Sequence, residues 1–225
     1  RRPIPIVNNA ASGPCPGVVN VVLDSHVFIE MAVEHFRQLG LKYFGMFFTD
    51  AIPSLTDRHL PKLKQLTSPN DRSLTMPISE AELMHPKASG LKVPEPLAAW
   101  LRELPKPIGV MCVSIGSGRY LLRCCAKLGL KVPGDLAIIG TDDMDVCLSC
   151  SPTLTSVVAN MEVLGAEAVR ILVQLMNGMA PPGPIIRLKT MDLMVRESTG
   201  QQRPAISDIA GALEYIKANA TKGIT

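Results

Sequence analysis

Three short polar runs carry residues able to hold a ligand. Thr49-Asp50 closes the apolar run Lys42 to Phe48. Ser114-Ile115-Gly116-Ser117-Gly118-Arg119 follows Ile108 to Val113, and Thr141-Asp142-Asp143-Met144-Asp145 follows Leu136 to Gly140. An ionised Asp accepts hydrogen bonds from vicinal hydroxyls, and charge-assisted bonds are the stronger ones. Such residues at strand ends therefore suit a polyhydroxylated ligand. The same acids would also cap the helices that follow, where the helix dipole favours negative charge. On pattern alone Asp142 fits both roles equally.

Other chemistry is poorly supported. Gly116-Ser117-Gly118 lacks the spacing of a phosphate loop and reads better as a turn into a helix. Asp24-Ser25-His26 has triad residue types, but consecutive residues cannot converge as a triad must. Ser25 is the better cap for the following helix. The acid run at Asp142 has no matching run at another strand end, so it makes a poor metal site. Cys147-Leu148-Ser149-Cys150 is formally a C-x-x-C but lacks the second pair of a zinc site. The four histidines show no ligand spacing. No cofactor and no catalytic residue are expected, because no nucleophile–base pair or metal set stands out.

The elements that must position the three runs are legible in the periodicity. Strands are expected at Pro3 to Val7, Val18 to Leu23, Lys42 to Phe48, Ile108 to Val113, Leu136 to Gly140, Ile185 to Lys189 and Leu193 to Val195, with a short one near Leu74-Thr75-Met76. Val18 to Leu23 is nearly all valine and leucine, as a strand buried on both faces would be. Phe28, Ala32, Phe36 and Leu39 recur at helical spacing before Gly40. Arg58 to Leu66 is a helix whose start is limited by Pro61. Pro96 to Leu104 and a stripe through Tyr120, Leu121, Cys124, Cys125 and Leu128 are further helices. Asn160 is placed to cap a helix carrying Leu164, Ala168, Ile171, Leu172 and Leu175. A β–α–β order with short loops implies an α/β fold with mainly parallel sheets.

The chain has 225 residues, 47% hydrophobic and 19% charged. That is long enough for a sizeable core and excludes a disordered chain. The net charge of +3 is too mild for a nucleic-acid-binding face. No apolar run approaches the ~20 residues a bilayer requires. Of the six cysteines, Cys112, Cys124 and Cys125 lie within apolar runs, and a secreted disulfide scaffold would be shorter and richer in cysteine, which points to free thiols and a cytoplasmic setting.

Longer segments resemble a known family. Val132-Pro133-Gly134-Asp135-Leu136-Ala137-Ile138-Ile139-Gly140-Thr141-Asp142 resembles the "V-P-x-D-[VIL]-A-[VI]-[VI]-G-x-D" segment of the lactose-repressor family's sensor domain. Pro152 to Val157, the helix after Asn160, and Val195-Arg196-Glu197-Ser198-Thr199 resemble its later motifs. Asp24-Ser25, Glu34-His35-Phe36 and Leu39-Gly40 resemble its "D-[NS]…E-H-[LF]…L-G" block. Leu104 to Met111, Cys147 and the tail Ala212 to Thr225 look most like the xylose-operon regulators, which carry an AraC-type helix-turn-helix domain at the C-terminus.

The resemblance implies two Rossmann-like lobes joined by three crossovers, a type I periplasmic-binding-protein-like fold, with the first lobe incomplete at its N-terminus. Residues 1–51 and 158–190 are expected in the N-terminal lobe, and 52–157 and 191–199 in the C-terminal lobe. Residues 200–225 are expected to be a linker and the first helix toward a DNA-binding domain that the chain does not contain. The implied effector contacts are Arg58, Ser114 and Asp142, with Thr49 and Asp50 near the hinge. The family carries Asn-Asp where this chain has Ser114-Ile115, which lowers polarity at that spot. The implied function is effector sensing in a bacterial transcription regulator. Its partners would be a small sugar-like ligand such as a pentose, DNA through the attached domain, and a second copy in a homodimer. A solute-binding protein of a transport system is the alternative.

Overall fold

The computed structural model describes residues 4–9, 14–49, 53–76, 92–113, 116–141 and 144–200, with the backbone alone at 53–58 and 144. Two separate sheets organise them. The smaller contains β1 (Val7–Asn8), β2 (Val19–Leu23) and β8 (Ile185–Leu188), parallel, in the order β1-β2-β8. The larger has β3 (Tyr43–Thr49), β4 (Leu74–Met76), β5 (Ile108–Cys112), β6 (Leu136–Gly140), β7 (Thr155–Ala159) and β9 (Met191–Met194). Its order is β4-β3-β5-β6-β7-β9, parallel except for β9.

Helices α1 (His26–Gln38), α2 (Pro53–Thr67), α3 (Glu95–Glu103), α4 (Ser117–Lys127) and α5 (Met144–Ser149) belong with the larger sheet, and α6 (Met161–Met176) with the smaller. Every residue of β5 and β6 is buried, as unbroken apolar runs require when helices cover both faces. The two-residue period sorts them. Ile108, Val110, Leu136 and Ile138 face a core with Leu97 and Leu101 of α3 and Leu121, Cys124 and Cys125 of α4. Met111, Ala137 and Ile139 face the other core, with Phe28, Ile29, Ala32, Val33 and Phe36 of α1 and Leu63 of α2. On the smaller sheet, Leu164 and Ile171 of α6 pack on Val21.

Asn160 caps α6 as expected, its Oδ1 accepting from Val163 N–H at 3.0 Å. Helix α2 starts earlier than Arg58 and continues through Pro61. Leu63, two residues on, is fully buried, so tertiary packing outweighs the hydrogen bond that proline removes. Strand β7 and helix α5 are additional elements that the periodicity did not announce.

The lobe boundaries need correction. Residues up to 51 were expected in the first lobe, but β3 pairs with β4 and β5 of the larger sheet. The helix before it, α1, also packs on that sheet. The first crossing therefore falls between β2 and α1. Likewise β7 runs to Ala159 within the larger sheet, so the second crossing is at Asn160 rather than at 158. The third lies between β8 and β9. Of the expected tail at 200–225, only Gly200 lies within the described residues.

Candidate functional site

The three crossings lie side by side. Asp24 N–H donates to Leu188 O at 2.8 Å, tying the first to the third. Asn160 N–H donates to Thr190 O at 2.9 Å, tying the second to the third. Asp24 is also the residue that closes the start of α1. Its Oδ1 accepts from His26 N–H at 3.2 Å and its carbonyl from Val27 N–H at 3.0 Å. Ser25, the expected cap, makes no side-chain cap bond. Asp24 is thus a hinge residue that sequence reasoning passed over; an Asp four residues before Phe28, the first residue of the helical stripe, was the available signal.

The carboxyl ends of β3, β5 and β6 form one edge of the larger sheet, the kind of edge at which open parallel sheets bind ligands. Parallel register aligns them, with Phe47 beside Cys112 and Met111 beside Ile139. Thr49 is the last residue of β3 and is buried at 4% exposure. Strand β5 ends two residues before Ser114 and β6 two residues before Asp142. Asp50, Ser114 and Asp142 lie outside the described residues. Arg58 is on α2, and only its backbone is described. The structure thus fixes the strands leading to these positions, and Thr49 itself.

The turn into α4 follows the structural reading of Gly116-Ser117-Gly118. Gly116 has φ of 80°, left-handed backbone that a side chain would strain, and Ser117 is fully buried. Cys147 and Cys150 are buried in the larger lobe's core. Burial also pushes the Cys124 thiol up to about 11 and the Cys125 thiol to about 12, which leaves both protonated and unreactive. Among the described residues, no group of three or more His, Cys, Asp and Glu is placed to hold a metal ion. Also among them, no helix is long and apolar enough to cross a membrane.

Beside β6 and β7, the chain after β9 is held by a buried polar network. Ser198 Oγ donates to Ile138 O at 2.6 Å and accepts from Thr155 N–H at 2.8 Å. Arg196, 9% exposed, donates from Nη1 to Leu154 O at 2.7 Å and from its amide to Thr155 Oγ1 at 2.8 Å. The Glu197 carboxylate accepts from Thr153 N–H at 2.8 Å and from its hydroxyl at 2.9 Å. Thr199 Oγ1 lies 2.7 Å from Thr155 Oγ1 and 3.1 Å from His35 Nε2 of α1. Burial lowers the pKa of His35, which favours the neutral imidazole.

Two lobes with mainly parallel sheets, joined by three adjacent crossings with strand ends at the junction, define a bilobal α/β architecture. The chain belongs to the periplasmic binding protein-like domain family, whose model matches residues 33–199. It is similar to the xylose operon regulatory protein of Escherichia coli (strain K12), with 24% identity over 93% of this chain and 53% of the relative. The HTH-type transcriptional repressor CytR of the same strain is 37% identical over 44% of this chain and 29% of its own length. Among solved structures, that of a xylose-binding transcription activator, xylR, superposes with a TM-score of 0.70 at 24% identity. It covers 98% of this chain and 59% of that one. The chain thus spans about half the length of the curated xylose regulators it matches.

Proposed function

We propose that this chain is the effector-sensing portion of a bacterial transcription regulator, binding a small sugar-like ligand, such as a pentose, between its lobes. The observation that carries the reading is the hinge: three crossings tied by Asp24–Leu188 and Asn160–Thr190 at the edge where β3 ends in Thr49. Such a hinge lets one lobe rotate against the other without breaking either sheet. The ligand must favour one arrangement over the other, or it shifts nothing. In this reading Arg58, Ser114 and Asp142 contact the effector, and Thr49 and Asp50 sit near the hinge.

The named relatives are regulators, which favours sensing over solute transport. No reaction is assigned to the domain. A DNA partner would be reached through a domain attached beyond the sensor, with residues 200–225 as the linker and first helix. A homodimer in the cytoplasm fits this role, and free buried thiols fit a reducing compartment. Calorimetric titration with D-xylose and D-ribose tests the site. Asp142→Ala is expected to abolish binding while the thermal transition stays cooperative. Wild-type affinity in that variant would overturn the assignment.

A further inference from the structure

We propose that residues 196–200 form a clasp that fixes the direction in which the chain leaves the larger lobe, with His35 and Thr199 as the positioning pair linking it to α1. The inference deepens the sensor reading and rests on it for its regulatory meaning, though its geometry does not depend on the ligand. A lobe rotation reaches an attached domain only if the connection is stiff. Apolar packing alone resists separation but tolerates sliding. Directed hydrogen bonds fix register as well.

The closing segment is built the second way. Arg196, Ser198 and Thr199 are all buried, at 9%, 0% and 3% exposure. Their polar atoms reach three separate elements: Ile138 on β6, Thr155 on β7 and His35 on α1. Ser198 N–H donates to Thr153 O at 2.9 Å, and Gly200 N–H closes the turn on Glu197 O at 2.9 Å. Partly satisfied buried networks are costly, whereas complete ones specify a single geometry. A segment that only had to end a strand would not need so many directed contacts.

The element that receives the last contact matters. Helix α1 begins at the hinge, where Asp24 bonds to Leu188. Its 13 residues make a rod of about 20 Å. Its buried face, Phe28, Ile29, Ala32, Val33 and Phe36, locks it on the larger sheet. His35, one residue before Phe36, is near the far end. The same rigid helix therefore touches the hinge at one end and the chain's exit at the other.

The test uses the 225-residue chain and native-state hydrogen exchange at the Ser198, Thr199 and Gly200 amides. Thr199→Val keeps the shape and removes the hydroxyl; His35→Ala removes the partner. Each is expected to speed exchange at these amides about tenfold or more, from the loss of buried hydrogen bonds. Exchange in β3, β5 and β6 should stay as in the wild type. Thr199→Ser, which keeps the hydroxyl, should restore protection. A purely packing role would make valine the better substitute and serine the worse, and that order would overturn the proposal. So would unchanged exchange in both Thr199→Val and His35→Ala. Titration of D-xylose into the same variants separates the two readings. Affinity within about twofold of the wild type is expected if the clasp acts on the exit rather than on the ligand, and a parallel loss of affinity contradicts it. A wild type that binds no sugar counts against the sensor reading, while the exchange pattern still decides the clasp.

Discussion

Gly109 is the point at which the packing of α1 against β5 can be tested with one methyl group. A Cβ there would meet the Phe36 ring at 2.4 Å, at both Cγ and Cδ2. Ordinary carbon contacts lie at about 3.5–4.0 Å, so the ring would have to retreat by about 1 Å. It has nowhere to go: Phe36 is 0% exposed and lies among Phe28, Ile29, Ala32, Val33 and Met111. Overpacking of this kind costs about 1–3 kcal/mol. At about 2–4 °C per kcal/mol for a chain of this size, Gly109→Ala should lower Tm by roughly 2–12 °C. Circular dichroism melts at fixed protein concentration measure it. Adding Phe36→Leu should recover part of the loss, so the double variant should be less destabilised than the sum of the singles. A Gly109→Ala melt indistinguishable from wild type, or strict additivity in the double variant, would refute the close approach.

Two further outcomes follow from the buried groups. His35 has its pKa lowered by burial, so the unfolded chain binds its proton more readily than the folded one. Its contribution to stability is present above the unfolded value of about 6.5 and is lost as pH falls through the folded value. Melts between pH 7.5 and 5.5 should therefore show a smaller acid loss in His35→Gln than in the wild type, and identical slopes would contradict this. Five of the six cysteines are buried and Cys15 is exposed. A chromogenic disulfide reagent at pH 8 should titrate one thiol quickly in the native chain and all six in denaturant. Rapid reaction of three or more native thiols would contradict the burial of Cys124 and Cys125.

The fold was legible where a residue's environment is written in its own neighbourhood. The apolar runs at Ile108–Cys112 and Leu136–Gly140 announce strands buried on both faces, and Asn160 announces its helix through a local cap. Sheet membership is different. Nothing within Tyr43–Thr49 says which sheet it joins; that is decided by Ile108–Cys112, about 65 residues later. Strand β7 was hidden because Thr155 and Ser156 look like loop residues. Thr155 is tolerated in a buried strand only because Arg196, Ser198 and Thr199, more than 40 residues away, bond to it, and Ser156 because its hydroxyl reaches Gly140 O. The same distance in sequence concealed the clasp, although its residues were noted as a family-like ending. At the carboxyl edge of the larger sheet, Thr49 stands at the end of β3 as expected, whereas the cap at Asp24 needed the backbone geometry to displace Ser25.

The most direct test of the sensor account is the melting temperature of the 225-residue chain with D-xylose, D-ribose, other pentoses, hexoses and their phosphates. A ligand that binds only the folded state adds about 2.7 kcal/mol at a hundred times its Kd. By the size scaling used above, that raises Tm by roughly 5–11 °C. The account predicts such a shift for at least one of these sugars, and its loss in Asp142→Ala. A cooperative melt that none of them moves would contradict it.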